Sequence, residues 1–104
     1  MDHRQVQSRQ GVTLVGGGEP SAQSLEEALK FAPCLIAADG GADRAISLGA
    51  VPEVIIGDLD SVSEAAKAQI GAENVIEIYD QDRTDFEKCL AAIEAPFVIA
   101  VGFA

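Results

Sequence analysis

The chain has 104 residues, 48% of them hydrophobic, which is enough to form the core of one compact domain and too little for two. Seven Lys and Arg residues against seventeen Asp and Glu residues give a formal net charge of −10, which disfavours binding to nucleic acid and to anionic membrane surfaces. The apolar runs are far shorter than the roughly 20 residues that cross a bilayer, and residues 1–10 lack the pattern of a secretory signal. These features predict a cytoplasmic protein.

Short β-branched runs alternate along the chain with stretches of helical spacing, after a polar leader at residues 1–10 that we expect to be disordered. Strands are predicted at residues 12–15, 35–38, 54–56, 75–79 and 97–101. Helices are predicted at residues 21–31 and 42–48, and after Ser61 and Thr84, each of which begins an S/T-x-x-E capping box. The alternation predicts an α/β fold with a parallel, doubly wound, Rossmann-like sheet of about five strands and flanking helices. Cys34 and Cys89 are interpreted as reduced core residues.

The turns that follow the predicted strands hold most of the residues that could take part in binding or catalysis. Ligands of open parallel sheets bind outside the carboxyl ends of the strands, so these turns indicate the function. They are G-G-G-E at 16–19, D-G-G-A-D at 39–43, G-D-L-D-S at 57–61 and D-Q-D-R-T-D at 80–85. Carboxylates are therefore expected to gather at one edge of the sheet.

Asp58 and Asp60 are the first candidates for a metal site. The two residues are two positions apart, so in an extended backbone their side chains project to the same side and can converge on one cation. Oxygen ligands of this kind suit Mg²⁺, which takes its remaining ligands from water and phosphate. The alternative is structural: Asp60 or Ser61 caps the following helix, and Asp58 is a solvated turn residue.

Asp85 and Lys88 form a second candidate group, three residues apart on one face of the predicted fourth helix. In the functional interpretation, Asp85 completes a three-carboxylate metal site with Asp58 and Asp60, and Lys88 contacts phosphate oxygens. In the alternative, Asp85 and Lys88 are a surface ion pair on a capped helix.

Other cofactor motifs are missing from the sequence. The glycine-rich stretch at residues 16–18 has Ser21 in the place of the third glycine of G-x-G-x-x-G, and no Walker motif occurs, so neither a NAD site nor a Walker-type ATPase is expected. Gly40 and Gly41 let the backbone approach a ligand closely. His3, the single histidine, lies in the polar leader, so a Ser-His triad is not expected.

Three segments resemble, in order and spacing, the amino-terminal half of the thiamine pyrophosphokinase family. They are A-D-G-G-A-D at 38–43, P-E-V-I-I-G-D-L-D-S at 52–61 and D-Q-D-R-T-D-F-E-K at 80–88. The resemblance extends over residues 12–104. Asp43 departs from it, because many members carry Asn there.

The resemblance implies transfer of a pyrophosphoryl group from ATP to the hydroxyl of thiamine, with Mg²⁺, giving thiamine diphosphate and AMP. It implies catalytic roles for Asp58, Asp60, Asp85 and Lys88, with the three aspartates holding the metal. It also implies a homodimer. The nucleotide-binding residues that it implies are Asp39, Gly40, Gly41, Asp43, Ser61, Gln81, Asp82 and Thr84.

The family's catalytic domain continues into a G-R-x-D-H segment and a β-sandwich that helps to bind thiamine. We therefore expect residues 11–104 to be the amino-terminal portion of an α/β nucleotide-binding catalytic domain that is inactive alone. One alternative is a pyrophosphokinase for another alcohol, such as a pterin. A second is a receiver-type signalling domain, but such domains need an acidic pair after the first strand, where this chain offers only Glu19.

Overall fold

A five-stranded parallel sheet forms the centre of the computed structural model, which describes residues 5–79 and 82–103. Its strands lie in the order β5-β4-β3-β2-β7, and a separate two-stranded sheet pairs β1 with β6. This confirms the predicted α/β fold with a parallel sheet. The strands are β1 (Val6–Gln7), β2 (Val12–Val15), β3 (Cys34–Ala38), β4 (Val54–Gly57), β5 (Val75–Glu77), β6 (Ile93–Glu94) and β7 (Val98–Val101).

Helices cover both faces of the sheet. Those in the described residues are α1 (Ala22–Phe31), α2 (Gly41–Ser47), α3 (Glu64–Ile70) and α4 (Asp85–Ala92), with a short 3₁₀ turn at Ala72–Asn74. Buried side chains of α1, α2 and α3 pack in one cluster on one face, and those of α4 pack in a second cluster with the opposite side chains of the strands. None of the described helices is long and apolar enough to cross a membrane.

The amino-terminal segment departs from its prediction. Val6 and Gln7 pair in parallel with Ile93 and Glu94, so the expectation of a disordered leader is wrong for residues 5–10. The physical reason is Val6, whose side chain packs against the α4 cluster around Cys89. One apolar residue in a polar stretch is too weak a pattern to predict a strand.

Two helix starts were predicted from capping boxes, and one is correct. Thr84 caps α4 in a capping box with Glu87, as expected. The predicted box at Ser61 is wrong, because Ser63 caps α3 and its hydroxyl accepts a hydrogen bond from Ala66 N at 3.1 Å. Ser61 lies further from α3, where its backbone N–H donates to a carboxylate described below.

The loops after β2 and β7 pack against each other. Strands β3, β4 and β5 follow on one side of β2, and β7 pairs with its other side. A Cβ at Gly16 would lie 2.6 Å from the carbonyl oxygen of Gly102, and a Cβ at Gly102 would lie 2.7 Å from that of Gly16. The Gly18 N–H also donates to the Gly102 carbonyl at 2.7 Å. The two loops are therefore in direct backbone contact at the carboxyl ends of β2 and β7.

Candidate functional site

A cleft of about 460 Å³ lies at the carboxyl ends of β3 and β4. Its lining includes predicted site residues from three separate turns, namely Asp39, Gly40, Asp43, Ser61 and Asp85. Their turns all follow parallel strands, whose carboxyl ends share one edge of the sheet. The fold therefore brings together predicted site residues that are up to 46 positions apart in the chain, from Asp39 to Asp85.

Asp39 organises the wall of this cleft. It is 4% exposed and has a positive φ of 46°, a conformation that Asp tolerates better than most residues. Its Oδ1 accepts hydrogen bonds from Ser61 N at 3.1 Å and from Val62 N at 2.9 Å. The carboxylate thus ties the loop after β4 to the end of β3.

Asp39 also shares a side-chain hydrogen bond with Asp58. Burial, together with this contact, raises the pKa of Asp39 above its ordinary value. The hydrogen bond from Asp39 and a second one from the Asp60 backbone lower the pKa of Asp58. When the pair binds a proton, Asp39 is therefore the preferred site and Asp58 keeps its charge.

Lys88 lies beside this pair. Its side chain is 5% exposed, and its Nζ lies 3.9 Å from Oδ2 of Asp58 and 3.8 Å from Oδ1 of Asp85. The interpretation of Asp85 and Lys88 as an ordinary surface ion pair is wrong, because the ammonium is buried and contacts a carboxylate from β4's end as well. Neither Lys88 nor Asp58 lines the cleft, but Asp85, which lies 3.8 Å from the ammonium, does, so Lys88 is a candidate phosphate-binding group next to the cleft.

Asp58 and Asp60 are not arranged as predicted. Leu59 between them has a φ of 68°, so the backbone is not extended, and Asp58 Oδ1 accepts a hydrogen bond from Asp60 N at 3.1 Å. The Leu59 side chain packs against the core cluster of α1, α2 and α3, and this packing supports the strained turn. Asp60 is exposed and is not part of the cleft lining.

The metal site can be tested against these positions. In residues 5–79 and 82–103, no three His, Cys, Asp or Glu side chains form a group that could hold a metal ion. The carboxylates that do meet are Asp39 and Asp58. Two carboxyl groups at hydrogen-bonding distance need a proton or a cation between them, and their oxygen atoms suit Mg²⁺. This pair fits a cation, and the set of Asp58, Asp60 and Asp85 stays a prediction.

The other predicted nucleotide-binding residues differ in whether they lie at the cleft. Gly41 lies at the start of α2 against β2, where a Cβ would come within 2.2 Å of the Val15 carbonyl oxygen. Asp43 accepts hydrogen bonds from both the backbone N–H and the hydroxyl of Ser63. Asp82 and Thr84 are exposed and are not part of the cleft lining, and Gln81 lies outside the described residues.

Five cleft residues were missed by the sequence analysis. They are Gly17, Ala38, Arg44, Ser47 and Ser63. Arg44 and Ser47 follow Gly40 by four and seven positions, the spacing of one helix face, so a helical projection of α2 could have found them. Ser63 is found only once the loop after β4 is seen to fold onto Asp39.

This architecture defines an α/β protein that presents polar and charged side chains at the carboxyl ends of a parallel sheet. A family model, described as the thiamin pyrophosphokinase catalytic domain, matches residues 25–101. The chain belongs to the thiamin pyrophosphokinase family. This membership confirms the resemblance seen in the motifs and argues against the receiver-type alternative.

Relatives with curated names support the same assignment. Thiamine pyrophosphokinase 1 of Oryza sativa subsp. japonica is 35% identical in a match that covers 62% of this chain and 34% of that protein. Thiamine pyrophosphokinase 3 of the same plant is 36% identical in a match that covers 62% of this chain and 33% of that protein. The chain therefore spans about a third of the length of these relatives.

Solved structures have the same fold. The crystal structure of yeast thiamin pyrophosphokinase superposes with a TM-score of 0.61 at 26% identity, covering 80% of this chain and 30% of the yeast chain. Thiamin pyrophosphokinase from Candida albicans gives a TM-score of 0.61 at 22% identity, covering 82% and 33%, and shows a likeness of fold.

Proposed function

We propose that this chain provides the nucleotide-binding part of an enzyme that transfers pyrophosphate from ATP to the hydroxyl of thiamine, giving thiamine diphosphate and AMP. Family membership over residues 25–101 supports the reaction class. The observation that carries the proposal for the site is the meeting of Lys88 with Asp58 and Asp85 next to the cleft.

Lys88 is the proposed contact for a phosphate oxygen near the transferred group. Its ammonium is almost fully buried, so its position is fixed by packing rather than by a flexible surface rotamer. A fixed positive charge of this kind stabilises negative charge that develops on phosphate oxygens in the transition state. Asp58 and Asp85 hold the ammonium in place until the substrate arrives.

Mg²⁺ is the proposed cofactor, with Asp39 and Asp58 as the pair best placed to hold it and Asp60 and Asp85 as further candidate ligands. When bound, the ion would neutralise charge on the phosphate oxygens. The protein's own part is to keep two carboxyl groups together against their mutual repulsion, and the backbone N–H groups of Ser61 and Val62 do this by fixing Asp39.

The cleft is proposed to bind ATP. Its volume, about 460 Å³, lies within the range of small-molecule sites, roughly 300–1,000 Å³. Gly17 and Gly40 form part of its wall, and their lack of side chains lets a ligand reach the backbone. Ser61 is a proposed nucleotide-binding residue that lines the cleft, whereas Gly41, Gln81, Asp82 and Thr84 are proposed on the strength of the motifs alone.

Thiamine is the acceptor that the names of the relatives favour over a pterin. It is a cation, and the net charge of −10 would attract it. We further propose that the enzyme is a cytoplasmic homodimer that does not bind nucleic acid, and that these 104 residues alone do not complete the acceptor site.

The test of the nucleotide site is isothermal titration of this chain with ATP in the presence and absence of Mg²⁺. We expect Mg²⁺-dependent binding, which Asp58→Asn should weaken by about tenfold or more because a charge-assisted contact is lost. Glu26→Gln, on the exposed face of α1, removes the same charge far from the cleft and should bind as the unmodified chain does. Equal affinities for the two variants would contradict the site.

The reaction itself is tested by incubating the chain with ATP, Mg²⁺ and thiamine, and separating AMP and thiamine diphosphate by chromatography. Turnover is expected only when the acceptor-binding part of a family member is supplied. Turnover with a pterin and not with thiamine would contradict the proposed acceptor.

A further inference from the structure

Arg44 contributes positive charge to a cleft that is otherwise acidic. It lies on α2, and its side chain is 49% exposed. The other charged side chains among the described residues of the lining are Asp39, Asp43 and Asp85. A polyphosphate that entered this cleft would meet three carboxylates and the guanidinium of Arg44.

Glu19 is the partner of Arg44 in the structure. The closest atoms, Arg44 Nη2 and Glu19 Oε1, are 3.6 Å apart, longer than the roughly 2.7–2.9 Å of a strong charge-assisted hydrogen bond. The Glu19 side chain is 80% exposed and belongs to the loop after β2, at a positive φ of 60°. Water screens such a pair, so the contact is weak and easily exchanged.

The other charged groups near the cleft are held more firmly. Asp43 is fixed by two hydrogen bonds from Ser63. Lys88 is buried and lies between Asp58 and Asp85. Arg44 is therefore the cation at this cleft that can turn towards an incoming anion at least cost.

We propose that Arg44 binds a phosphate group of the nucleotide, and that Glu19 holds the guanidinium over the cleft until that phosphate displaces it. The inference rests on the proposed function, because it requires a nucleotide in the cleft. A guanidinium suits this role, since its planar fork donates two parallel hydrogen bonds to one phosphate.

The position of Arg44 complements that of Lys88. Arg44 is carried by α2 and Lys88 by α4, and these helices pack on opposite faces of the sheet. The polyphosphate would lie across the sheet edge with one cation reaching it from each layer. Arg44 would therefore select for ligands that carry phosphate.

The test compares Arg44→Gln and Arg44→Lys with Lys30→Gln, which removes the same charge from α1 away from the cleft. Affinities of this chain for Mg²⁺-ATP, AMP and adenosine are measured by isothermal titration. For Arg44→Gln we expect Mg²⁺-ATP affinity to fall about tenfold or more and adenosine affinity to stay unchanged. Arg44→Lys should recover part of the loss, and Lys30→Gln should bind as the unmodified chain does.

A second variant tests the role of Glu19. Glu19→Gln frees Arg44 from its partner, so Mg²⁺-ATP should bind about two- to fivefold more tightly, because the weak ion pair no longer competes. Circular dichroism checks that each variant is folded.

A Glu19→Gln chain that binds Mg²⁺-ATP no more tightly than the unmodified chain overturns the proposed role of Glu19. An Arg44→Gln chain that binds Mg²⁺-ATP as tightly as Lys30→Gln overturns the phosphate contact while leaving the proposed function intact. An equal loss of affinity for adenosine would show that Arg44 contacts the nucleoside instead. No binding of Mg²⁺-ATP by the unmodified chain would overturn the proposed function, and this inference with it.

Discussion

The Nζ atom of Lys88 lies 3.9 Å from Oδ2 of Asp58, although the two residues are 30 positions apart (88 − 58) and belong to different layers of the fold. The lysine comes from α4, and the aspartate follows β4. Their contact joins the helix to the end of the sheet, and the side chain of Lys88 is buried in making it.

Replacing Lys88 with methionine should therefore destabilise the protein. Breaking a fully buried ion pair costs about 3–5 kcal/mol, and partial exposure of Asp58 and Asp85 lowers our expectation to about 1–3 kcal/mol. Urea unfolding followed by circular dichroism measures the change. The matched control is Lys67→Met, which breaks the Glu64–Lys67 pair of α3 at the same spacing but with the glutamate 90% exposed, and should change little.

If Lys88→Met unfolds at the same urea concentration as Lys67→Met, the buried ion pairs of Lys88 contribute nothing to the free energy of unfolding. The proposed phosphate contact would then lack its structural basis as well.

Asp39 should respond very differently to two substitutions. Asn keeps an oxygen that can accept from Ser61 and Val62, tolerates the positive φ of 46°, and can donate its amide N–H to Asp58. Ala leaves two backbone donors without their acceptor and adds backbone strain, so we expect Asp39→Ala to cost about 2–4 kcal/mol and Asp39→Asn less than about 1 kcal/mol. Thermal and urea unfolding of both variants measure this.

Binding of Mg²⁺ gives a second measurement on the same variants. Asp39→Asn removes one carboxylate of the pair while preserving its hydrogen bonds, so a folded Asp39→Asn chain should lose Mg²⁺-dependent binding of ATP. Full Mg²⁺ dependence in that variant would remove Asp39 from the cation site.

Gly41 and Gly17 should differ sharply in their tolerance of alanine. A Cβ at Gly41 would lie 2.2 Å from the Val15 carbonyl oxygen, whereas the nearest atoms to a Cβ at Gly17 are 3.8 Å away. We expect Gly41→Ala to cost about 2 kcal/mol or more, which outweighs the gain in helix propensity, and Gly17→Ala to leave unfolding unchanged. Equal melting temperatures would mean that α2 can shift away from β2.

Cys89 should make stability fall at high pH. Burial raises the pKa of its thiol from 9.0 to about 12. Because the folded state keeps the thiol protonated, its contribution to the free energy of unfolding is fully present below about pH 9 and is lost as the pH rises towards 12. The measurement is urea unfolding at several pH values, and Cys89→Ala should flatten the decline. A decline of the same size in Cys89→Ala would assign it to other groups.

The fold could be predicted from the sequence because buried parallel strands are continuous apolar runs. All five sheet strands begin within one residue of the predicted position, and β2, β4 and β5 begin at the predicted residue. The segment around Val6 could not, because its strand depends on a partner 87 positions away (93 − 6) and not on its own composition. Pairing between strands that are far apart in the chain is not visible in the local pattern of apolar and polar residues.

The site could be predicted only in part, for a similar reason. The sequence predicts that the turns holding Asp39, Ser61 and Asp85 meet at one edge of the sheet, and the cleft confirms this, whereas the nucleotide-binding roles of Asp39 and Ser61 come from the family resemblance. The arrangement of Asp58 was not, because it depends on the positive φ of Leu59, which the core imposes through the leucine side chain. Backbone conformations that packing holds against local preference are not visible in spacing alone.

The contact between the loops after β2 and β7 links two positions that lie 86 residues apart in the chain (102 − 16). Because each of Gly16 and Gly102 occupies the space that a side chain on the other would need, a substitution at either one forces the same separation of the two loops. The second substitution then finds the loops already apart and costs less than it would alone. The two glycines should therefore be strongly non-additive in a double-mutant cycle, and positions 16 and 102 should vary together in evolution rather than independently.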